Sequence, residues 1–386
     1  MKAFKLKEEI YWVGAIDWHP PKLGHTLLKG TTYNSYLILD KKIALIDVVK
    51  HGFTHEILSR LKDVIDPLDI DYIVIGNSQM DHTGSLPFLM KEAKNAIIVT
   101  TESSKRAIEK YHGAKWKFEI VKEGDLLNLG KRELSFSEIT LGADNILVTY
   151  SVFDNILFSE DLFSQHIASC TRFDLETAGV EEEALSFFVN YLMPIKDLSN
   201  LTKYSIEFLA PNHGCIWKSM IKTIINSYDN WMKGYSKNKI SVLYSTTWRG
   251  TEKMAYSIAD GISFNGTEVK VINLEDQDVG AIVTQIFDSK TVVIGCSSSK
   301  ENIPLELSKF FAYCKFINLK NKPTALFTCY RGKKSPVKDL LDNISAINLT
   351  LIEDPLEVQY TPDKDELKKC FDYGIIISES TKRLEY

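Results

Sequence analysis

The stretch DYIVIGNSQMDHTGSLP, Asp71 to Pro87, carries the strongest indication of fold in this chain of 386 residues. Its first part, DYIVIGN, has the continuous apolar pattern of a buried strand. The pair Asp81-His82 and a Gly-Ser turn follow directly, and the pattern then predicts a helix that begins at Ser85 with Pro87 in its first turn. Because carboxylate and imidazole groups are common metal ligands, this stretch predicts a strand, a ligand-bearing loop and a helix.

The composition is that of an ordinary globular protein, with 44% hydrophobic and 25% charged residues. The length predicts two or three domains, each with its own core. A formal charge of -5 and the lack of a Lys/Arg cluster argue against a nucleic-acid partner. No apolar run approaches the ~20 residues of a membrane span, and the N-terminus lacks the apolar core of a signal peptide. We therefore expect a cytoplasmic protein that has no membrane partner.

The cysteines do not form a recognisable metal or disulfide motif. There are six, and none belongs to a C-x-x-C pair. Their spacing excludes a zinc ribbon and a rubredoxin-type iron site, and a chain of this size does not need a disulfide framework. We expect reduced thiols in or near the core.

The first half of the chain mixes strand pairs with helices. One hairpin is predicted to turn at Asp40-Lys41, and two later strands are predicted to join at Asp154-Asn155. Such a mixture predicts two sheets between helical layers, an αββα sandwich. The polar stretch KGYSKNKIS marks a domain boundary, which we place so that the domains cover residues 1–236 and 237–386.

The second half alternates more regularly between strands and helices. Five short apolar segments, KISVLYS, TEVKVINLE, TVVIGCSSS, KPTALFTCY and LTLIEDPLEVQ, are separated by stretches with helical periodicity. This alternation predicts a doubly wound parallel sheet with a ligand crevice at the carboxyl ends of its strands.

The first strand-to-helix turn of that domain, YSTTWRGTEKMA from Tyr244 to Ala255, is rich in hydroxyl groups. Hydroxyls and free backbone N–H groups at a helix N-terminus bind a phosphate, whereas a helix N-cap alone would explain only one of these residues. The motifs of nucleotide-hydrolysing and dinucleotide-binding loops are absent, which favours a phosphate monoester such as FMN. The predicted cofactor residues are Thr246, Thr247, Trp248, Arg249, Gly250, Thr251, Ser297, Ser298, Ser299, Cys329, Tyr330, Arg331 and Gly332.

The order of these segments resembles the flavodiiron proteins (A-type flavoproteins), in which a metallo-β-lactamase-like domain precedes a flavodoxin-like domain. The stretches GTTYNSYLI, LIDVV, MDHTGSLP, LFSEDLFSQHIAS, APNHGCIW and TEKMA carry the resemblance along nearly the whole chain. It implies an FMN-dependent reductase of dioxygen or nitric oxide that assembles as a head-to-tail homodimer. It also implies rubredoxin or an NAD(P)H-linked reductase as the electron donor.

The same resemblance reveals a set of missing metal ligands. Where the family has H-x-E-x-D-H-x-G, this chain has Asn77, Gln79, Asp81, His82 and Gly84, and a further family histidine matches Gly142. The resemblance implies that the replaced side chains belonged to one iron site. The ligands of the other site are present, namely Asp81, His82, Asp161 and His213. We therefore expect at most one metal ion per chain, iron or zinc, with zero remaining an open alternative.

The cofactor loop also departs from the family pattern, because Arg249 occupies a position where the family usually has glycine. Two roles are open for Arg249, pairing with the phosphate or blocking it.

Three functional hypotheses follow. The first is an FMN-dependent electron-transfer flavoprotein with weak or altered reductase activity, since joining two nitric oxide molecules uses two adjacent metals. The second is a non-catalytic subunit that pairs with an intact paralogue. The third, a mononuclear metallohydrolase, is disfavoured because it gives the flavin domain no task.

Overall fold

The computed structural model describes residues 1–19, 30–141, 144–193, 195, 197–298 and 303–384. The predicted site residues Gly142 and Ser299 lie outside these ranges. Contacts between Cα atoms divide the chain into two compact units, the first ending at Asp229 and the second beginning at Asn230. In the part of the chain that is described, no helix is both long and apolar enough to span a bilayer.

The N-terminal unit contains a seven-stranded and a five-stranded sheet, and a separate two-stranded pair formed by β3 and β4. Its strands are β1 (Phe4–Lys7), β2 (Ile10–Trp12), β3 (Ala15–Asp17), β4 (Thr31–Tyr33), β5 (Tyr36–Ile38), β6 (Ala44–Ile46), β7 (Tyr72–Val74), β8 (Ile97–Thr100), β9 (Phe118–Ile120), β10 (Leu126–Asn128), β11 (Glu133–Leu141), β12 (Asp144–Ser151), β13 (Ile156–Glu160) and β14 (Phe208–Pro211). The larger sheet has the order β1-β2-β5-β6-β7-β8-β9, and the smaller runs from β10 to β14 in sequence order.

Helices accompany both sheets of this unit. They are α1 (Thr54–Leu61), α2 (Met80–Thr83), α3 (Leu86–Glu92), α4 (Glu102–His112), α5 (Val180–Phe187) and α6 (Ile221–Met232). A π-helical turn over Phe188–Leu192 continues α5.

Alternation along the strands produces two apolar cores. In β6, Ala44 and Ile46 belong to a core that also contains Phe136 and Phe158 of the smaller sheet. Leu45, between them, belongs to a second core that it shares with residues of α1, α3 and α4. Since successive side chains of a strand point to opposite faces, the larger sheet packs on the smaller sheet with one face and on helices with the other. This arrangement confirms the predicted αββα sandwich.

Both predicted strand pairs are present. Strands β5 and β6 are antiparallel, with Tyr36 opposite Ile46, and β12 and β13 are antiparallel, with Ser151 opposite Ile156. Asn155 in the second turn has φ of 56°, a left-handed conformation that asparagine tolerates better than most residues.

The C-terminal unit is built on one sheet in which every strand pair is parallel. Its strands are β15 (Lys237–Tyr244), β16 (Glu268–Asn273), β17 (Ser289–Ser298), β18 (Pro323–Tyr330), β19 (Thr350–Leu351) and β20 (Leu356–Gln359). Its helices are α7 (Gly250–Phe264), α8 (Val279–Phe287), α9 (Leu305–Phe316), α10 (Val337–Ala346) and α11 (Lys364–Arg383). The order β16-β15-β17-β18-β19 confirms the predicted doubly wound, flavodoxin-like sheet.

The fifth strand differs from the prediction. The segment LTLIEDPLEVQ forms two short strands, and both pair with β18. Strand β19 pairs with the start of β18, whereas β20 pairs with its end from Phe327 to Tyr330. Pro355 lies between the two strands and has no N–H group to give to the ladder, which accounts for the interruption.

Two glycines permit the close packing of α7 on α11. A Cβ atom on Gly261 would lie 2.0 Å from the carbonyl oxygen of Phe371, and one on Gly374 would lie 2.1 Å from that of Ile258. The backbones of the two helices therefore touch at a place where no side chain fits.

We expect Gly261→Ala to lower the free energy of unfolding of this unit by about 1–3 kcal/mol, because the added methyl group forces the helices apart. The intrinsic preference of a helix for alanine, about 1 kcal/mol, offsets only part of that loss. Urea unfolding followed by circular dichroism measures the change. Ser263→Ala, on the exposed side of the same helix, is the control. Equal stability of the two variants would contradict the proposed contact.

Candidate metal and cofactor sites

The four predicted metal ligands converge at the carboxyl ends of strands in the N-terminal unit. Asp81 and His82 lie in α2, which follows β7, while Asp161 follows β13 and His213 follows β14. The Nε2 atom of His82 lies 3.3 Å from Asp161 Oδ1, and that of His213 lies 3.6 Å from the same oxygen. Asp81 completes the group, with its Oδ2 3.5 Å from His213 Nε2. The sequence prediction thus named four side chains that are neighbours in space.

Both imidazoles are held through Nδ1 and present Nε2 to the pocket. His213 Nδ1 donates a hydrogen bond of 2.6 Å to the carbonyl of Thr32, which fixes its tautomer because a carbonyl only accepts. His82 Nδ1 lies 2.8 Å from the carboxylate of Asp47. This carboxylate–histidine pair is the usual outer support of a metal-binding imidazole. His82 Nε2 is buried and has no hydrogen-bond partner among the described residues, a need that a cation would satisfy.

The pocket favours ionised carboxylates. Burial by itself lowers the pKa of His82, but the carboxylates of Asp161, Asp81 and Asp47 outweigh it and hold that pKa well above its ordinary value. Burial raises the pKa of Asp161, but the adjacent His82 imidazole outweighs it and leaves the pKa lowered. Two anionic oxygen ligands and two imidazoles form a set that suits one zinc or iron ion.

The residues at the replaced positions do not form a second ligand set. Asn77 is buried, and its Nδ2 donates a hydrogen bond of 2.9 Å to Asp161 Oδ2. Its Oδ1 accepts a hydrogen bond of 3.1 Å from the backbone N–H of Gln79, so both ends of the amide are engaged. The Gln79 side chain is exposed at the start of α2. Neither residue offers a charged or imidazole ligand.

Sequence reasoning missed a buried polar network behind His82. Asn212 donates hydrogen bonds to Asp47 and, at 2.8 Å, to Glu160 Oε2, and it also contacts His82 Nδ1. Burial raises the pKa of Asp47 to about 6 and that of Glu160 well above its ordinary value. Gly76 provides the space, because a Cβ atom there would lie 2.0 Å from Glu160 Oε1. The available signal was an acidic residue at the end of an apolar strand, Asp47 in LIDVV and Glu160 in LFSED.

A cleft of about 340 Å³ lies at the carboxyl ends of the strands in the C-terminal unit. Ten predicted cofactor residues line it: Thr246, Thr247, Trp248, Gly250, Thr251, Ser297, Ser298, Cys329, Tyr330 and Arg331. Gly332 and Arg249 are not among the lining residues. Arg249 is exposed and pairs with Glu252 through a contact of 2.5 Å. Tyr360 and Thr361 also line the cleft, and sequence reasoning missed both because the broken fifth strand hides where that strand ends.

Two buried hydroxyl groups in this cleft are placed to hydrogen-bond with a ligand. Thr246 Oγ1 and Thr251 Oγ1 are buried and have no hydrogen-bond partner among the described residues. Both lie at the N-terminus of α7, where backbone N–H groups are free to bind an anion. Gly250 keeps the turn narrow, since a Cβ atom there would lie 2.5 Å from Cys329 Sγ. These features fit the phosphate of a flavin mononucleotide.

Comparison with known proteins agrees with both halves of this description. Residues 31–214 match the family model described as ODP family beta lactamase, and residues 242–374 match the Flavodoxin model. The chain is 33% identical to a nitric oxide reductase of Moorella thermoacetica, with 96% of each chain covered. It is 30% identical to the anaerobic nitric oxide reductase flavorubredoxin of Aliivibrio fischeri, covering 97% of this chain and 79% of that protein.

A solved structure shows the same architecture over the whole chain. The rubredoxin oxygen:oxidoreductase of Desulfovibrio gigas superposes with a TM-score of 0.92 at 28% identity, and the match covers 99% of both chains. The order of the two domains, the strand-end pocket and these relatives agree with one another, and the chain belongs to the flavodiiron protein family.

Proposed function

We propose that this protein is an FMN-dependent electron-transfer oxidoreductase whose pocket holds one metal ion per chain, and that it reduces dioxygen or nitric oxide only weakly. The observation that carries the proposal is the hydrogen bond from Asn77 to Asp161. In this contact a neutral amide stands where the family resemblance implies a metal ligand. The four remaining ligand residues are neighbours in space.

The residues that would hold the single metal are Asp81, His82, Asp161 and His213. Two of them are carboxylates, which balance the charge of a dication, and the two imidazoles are oriented through Nδ1. A bound metal supplies Lewis acidity and, if it is iron, one-electron chemistry. The chain's own contribution is orientation, because Asp47 and the Thr32 carbonyl fix the planes of His82 and His213.

The residues proposed to bind FMN form two groups, one for the phosphate and one for the flavin ring. Thr246 and Thr251 would bind the phosphate at the N-terminus of α7, and the aromatic side chains Trp248, Tyr330 and Tyr360 would contact the flavin ring. FMN supplies electrons singly or in pairs when it is bound. We propose rubredoxin or an NAD(P)H-linked reductase as the donor; the relative from Desulfovibrio gigas is a rubredoxin oxygen:oxidoreductase, which favours the first.

A second candidate, a non-catalytic subunit that lends its flavin to an intact paralogue, draws on the same loss of ligands at positions 77 and 79. The two candidates differ in whether the metal pocket is filled. A purified protein that takes up FMN and no metal would favour the subunit role over the oxidoreductase.

We expect the protein to hold one metal ion per chain after loading with Fe²⁺ or Zn²⁺, because the replaced positions leave a second cation too few ligands. Elemental analysis by inductively coupled plasma mass spectrometry measures the content. His213→Ala should lose the metal, and the triple variant Asn77→His, Gln79→Glu, Gly142→His should raise the content towards two. Two irons in the unmodified chain, with reductase turnover matching its relatives, would contradict the proposal.

Thr251→Val should weaken FMN binding about 10- to 150-fold, because removing a hydrogen bond to a charged group costs roughly 1.5–3 kcal/mol. Flavin fluorescence quenching measures the dissociation constant. Riboflavin, which lacks the phosphate, is the internal control, and its affinity should be equal for variant and wild type. A loss of the same size for both ligands would place the phosphate elsewhere.

We also propose a head-to-tail homodimer, as the resemblance to flavodiiron proteins implies, in which one subunit's flavin faces its partner's metal pocket. Multi-angle light scattering at micromolar concentration should give about twice the 43.9 kDa of the chain. A monomer at that concentration argues against this arrangement.

A further inference from the structure

We infer that Asn77 is a positioning residue for the single metal: its amide takes the place of a second cation beside Asp161 and makes that carboxylate a ligand of one metal only. This inference rests on the proposed function. The pocket is then a site built for a single ion and not a two-metal site that has lost some of its ligands.

The two oxygens of Asp161 have different surroundings. Oδ1 faces the Nε2 atoms of His82 and His213, at 3.3 and 3.6 Å. Oδ2 accepts the hydrogen bond of 2.9 Å from Asn77. A metal held by the two imidazoles would therefore meet Oδ1, while Oδ2 is occupied by the amide.

The orientation of the Asn77 amide follows from its neighbours. A backbone N–H only donates and an ionised carboxylate only accepts, so Oδ1 must face the N–H of Gln79 and Nδ2 must face Asp161. The loop between β7 and α2 thus delivers a donor to the carboxylate. Because Asn77 is 7% exposed, water competes little for this hydrogen bond.

The physical effect of this contact is to satisfy a buried anionic oxygen without adding charge. A hydrogen bond to a charged group is stronger than one between neutral groups, and leaving such an oxygen without a partner is costly. A cation at the same place would also satisfy this oxygen, but neither Asn77 nor Gln79 offers it a charged or imidazole ligand. Hydrogen-bonding partners of metal ligands are typically worth about 10- to 100-fold in metal affinity.

A purely structural role for Asn77 is the competing explanation, since its Oδ1 also closes a turn onto Gln79. Asn77→Ser separates the two roles. A serine hydroxyl can accept the same backbone N–H in a turn, but it is too short to reach Asp161. Asn77→Leu, which has a similar volume and no polar atoms, removes both contacts.

We expect Asn77→Ser to bind one Co²⁺ or Zn²⁺ per chain about 10-fold or more weakly than the wild type, by competition with a chromophoric chelator. The visible absorption of the Co²⁺ form should also change, because Asp161 is then free to turn and offer both oxygens. Asn77→Leu should show the same two changes. The melting temperature of the metal-free serine variant should lie between those of Asn77→Leu and the wild type, because serine keeps the turn contact and loses the hydrogen bond to Asp161.

Asn145→Ser is the matched control, because Asn145 donates the same kind of hydrogen bond, 3.1 Å long, to Glu138 on the surface. It should leave metal affinity and the Co²⁺ spectrum unchanged. If Asn77→Ser binds metal within twofold of the wild type with the same spectrum, the inference is overturned while the proposed function stands. A wild-type content of zero or two metals overturns the proposed function, and the inference with it.

Discussion

The carboxylate of Asp161 is the group on which the metal pocket depends. It lies beside both imidazoles and also accepts a hydrogen bond from Asn77, at a position where the family resemblance implies a metal ligand. A buried carboxylate is costly unless every oxygen has a partner, and here the partners differ from one oxygen to the other. Under the proposed function, the imidazoles facing Oδ1 and the amide on Oδ2 leave this carboxylate one metal to bind.

A second constraint is the pair of buried acids, Asp47 and Glu160, on the Nδ1 side of His82. Asp47 and Glu160 both approach the Asn212 amide, and burial raises the pKa of each. The amide has only two hydrogens to share among the surrounding acceptors, so a proton on one of the acids relieves the crowding. Orientation of His82 thus comes from a network of buried hydrogen bonds on the Nδ1 side of the ring, opposite the carboxylates of Asp81 and Asp161.

The sequence itself pointed to Asp81 and His82, which lie a few residues after an apolar strand, whereas the family resemblance implied Asp161 and His213. The strands themselves follow from alternation that can be counted along the chain. Asp47 and Asn212 are 165 residues apart, and their contact arises only when the strands are paired. No local pattern in the sequence predicts this contact. The break at Pro355 was missed for a related reason, because two short strands on one neighbour look like one longer strand until their pairing is known.

The metal pocket and the cofactor cleft depend on side chains to different degrees. The apolar cores behind β6 and β7 involve none of the ligand positions, so replacing a ligand changes the chemistry without altering sheet packing. The cleft of the C-terminal unit is built differently. There the binding groups are backbone N–H groups and hydroxyls at the start of α7, in a turn whose narrowness is set by the contact of Gly250 with Cys329. The backbone part of such a site is unchanged by most side-chain substitutions, whereas a site made only of side chains changes with each replacement.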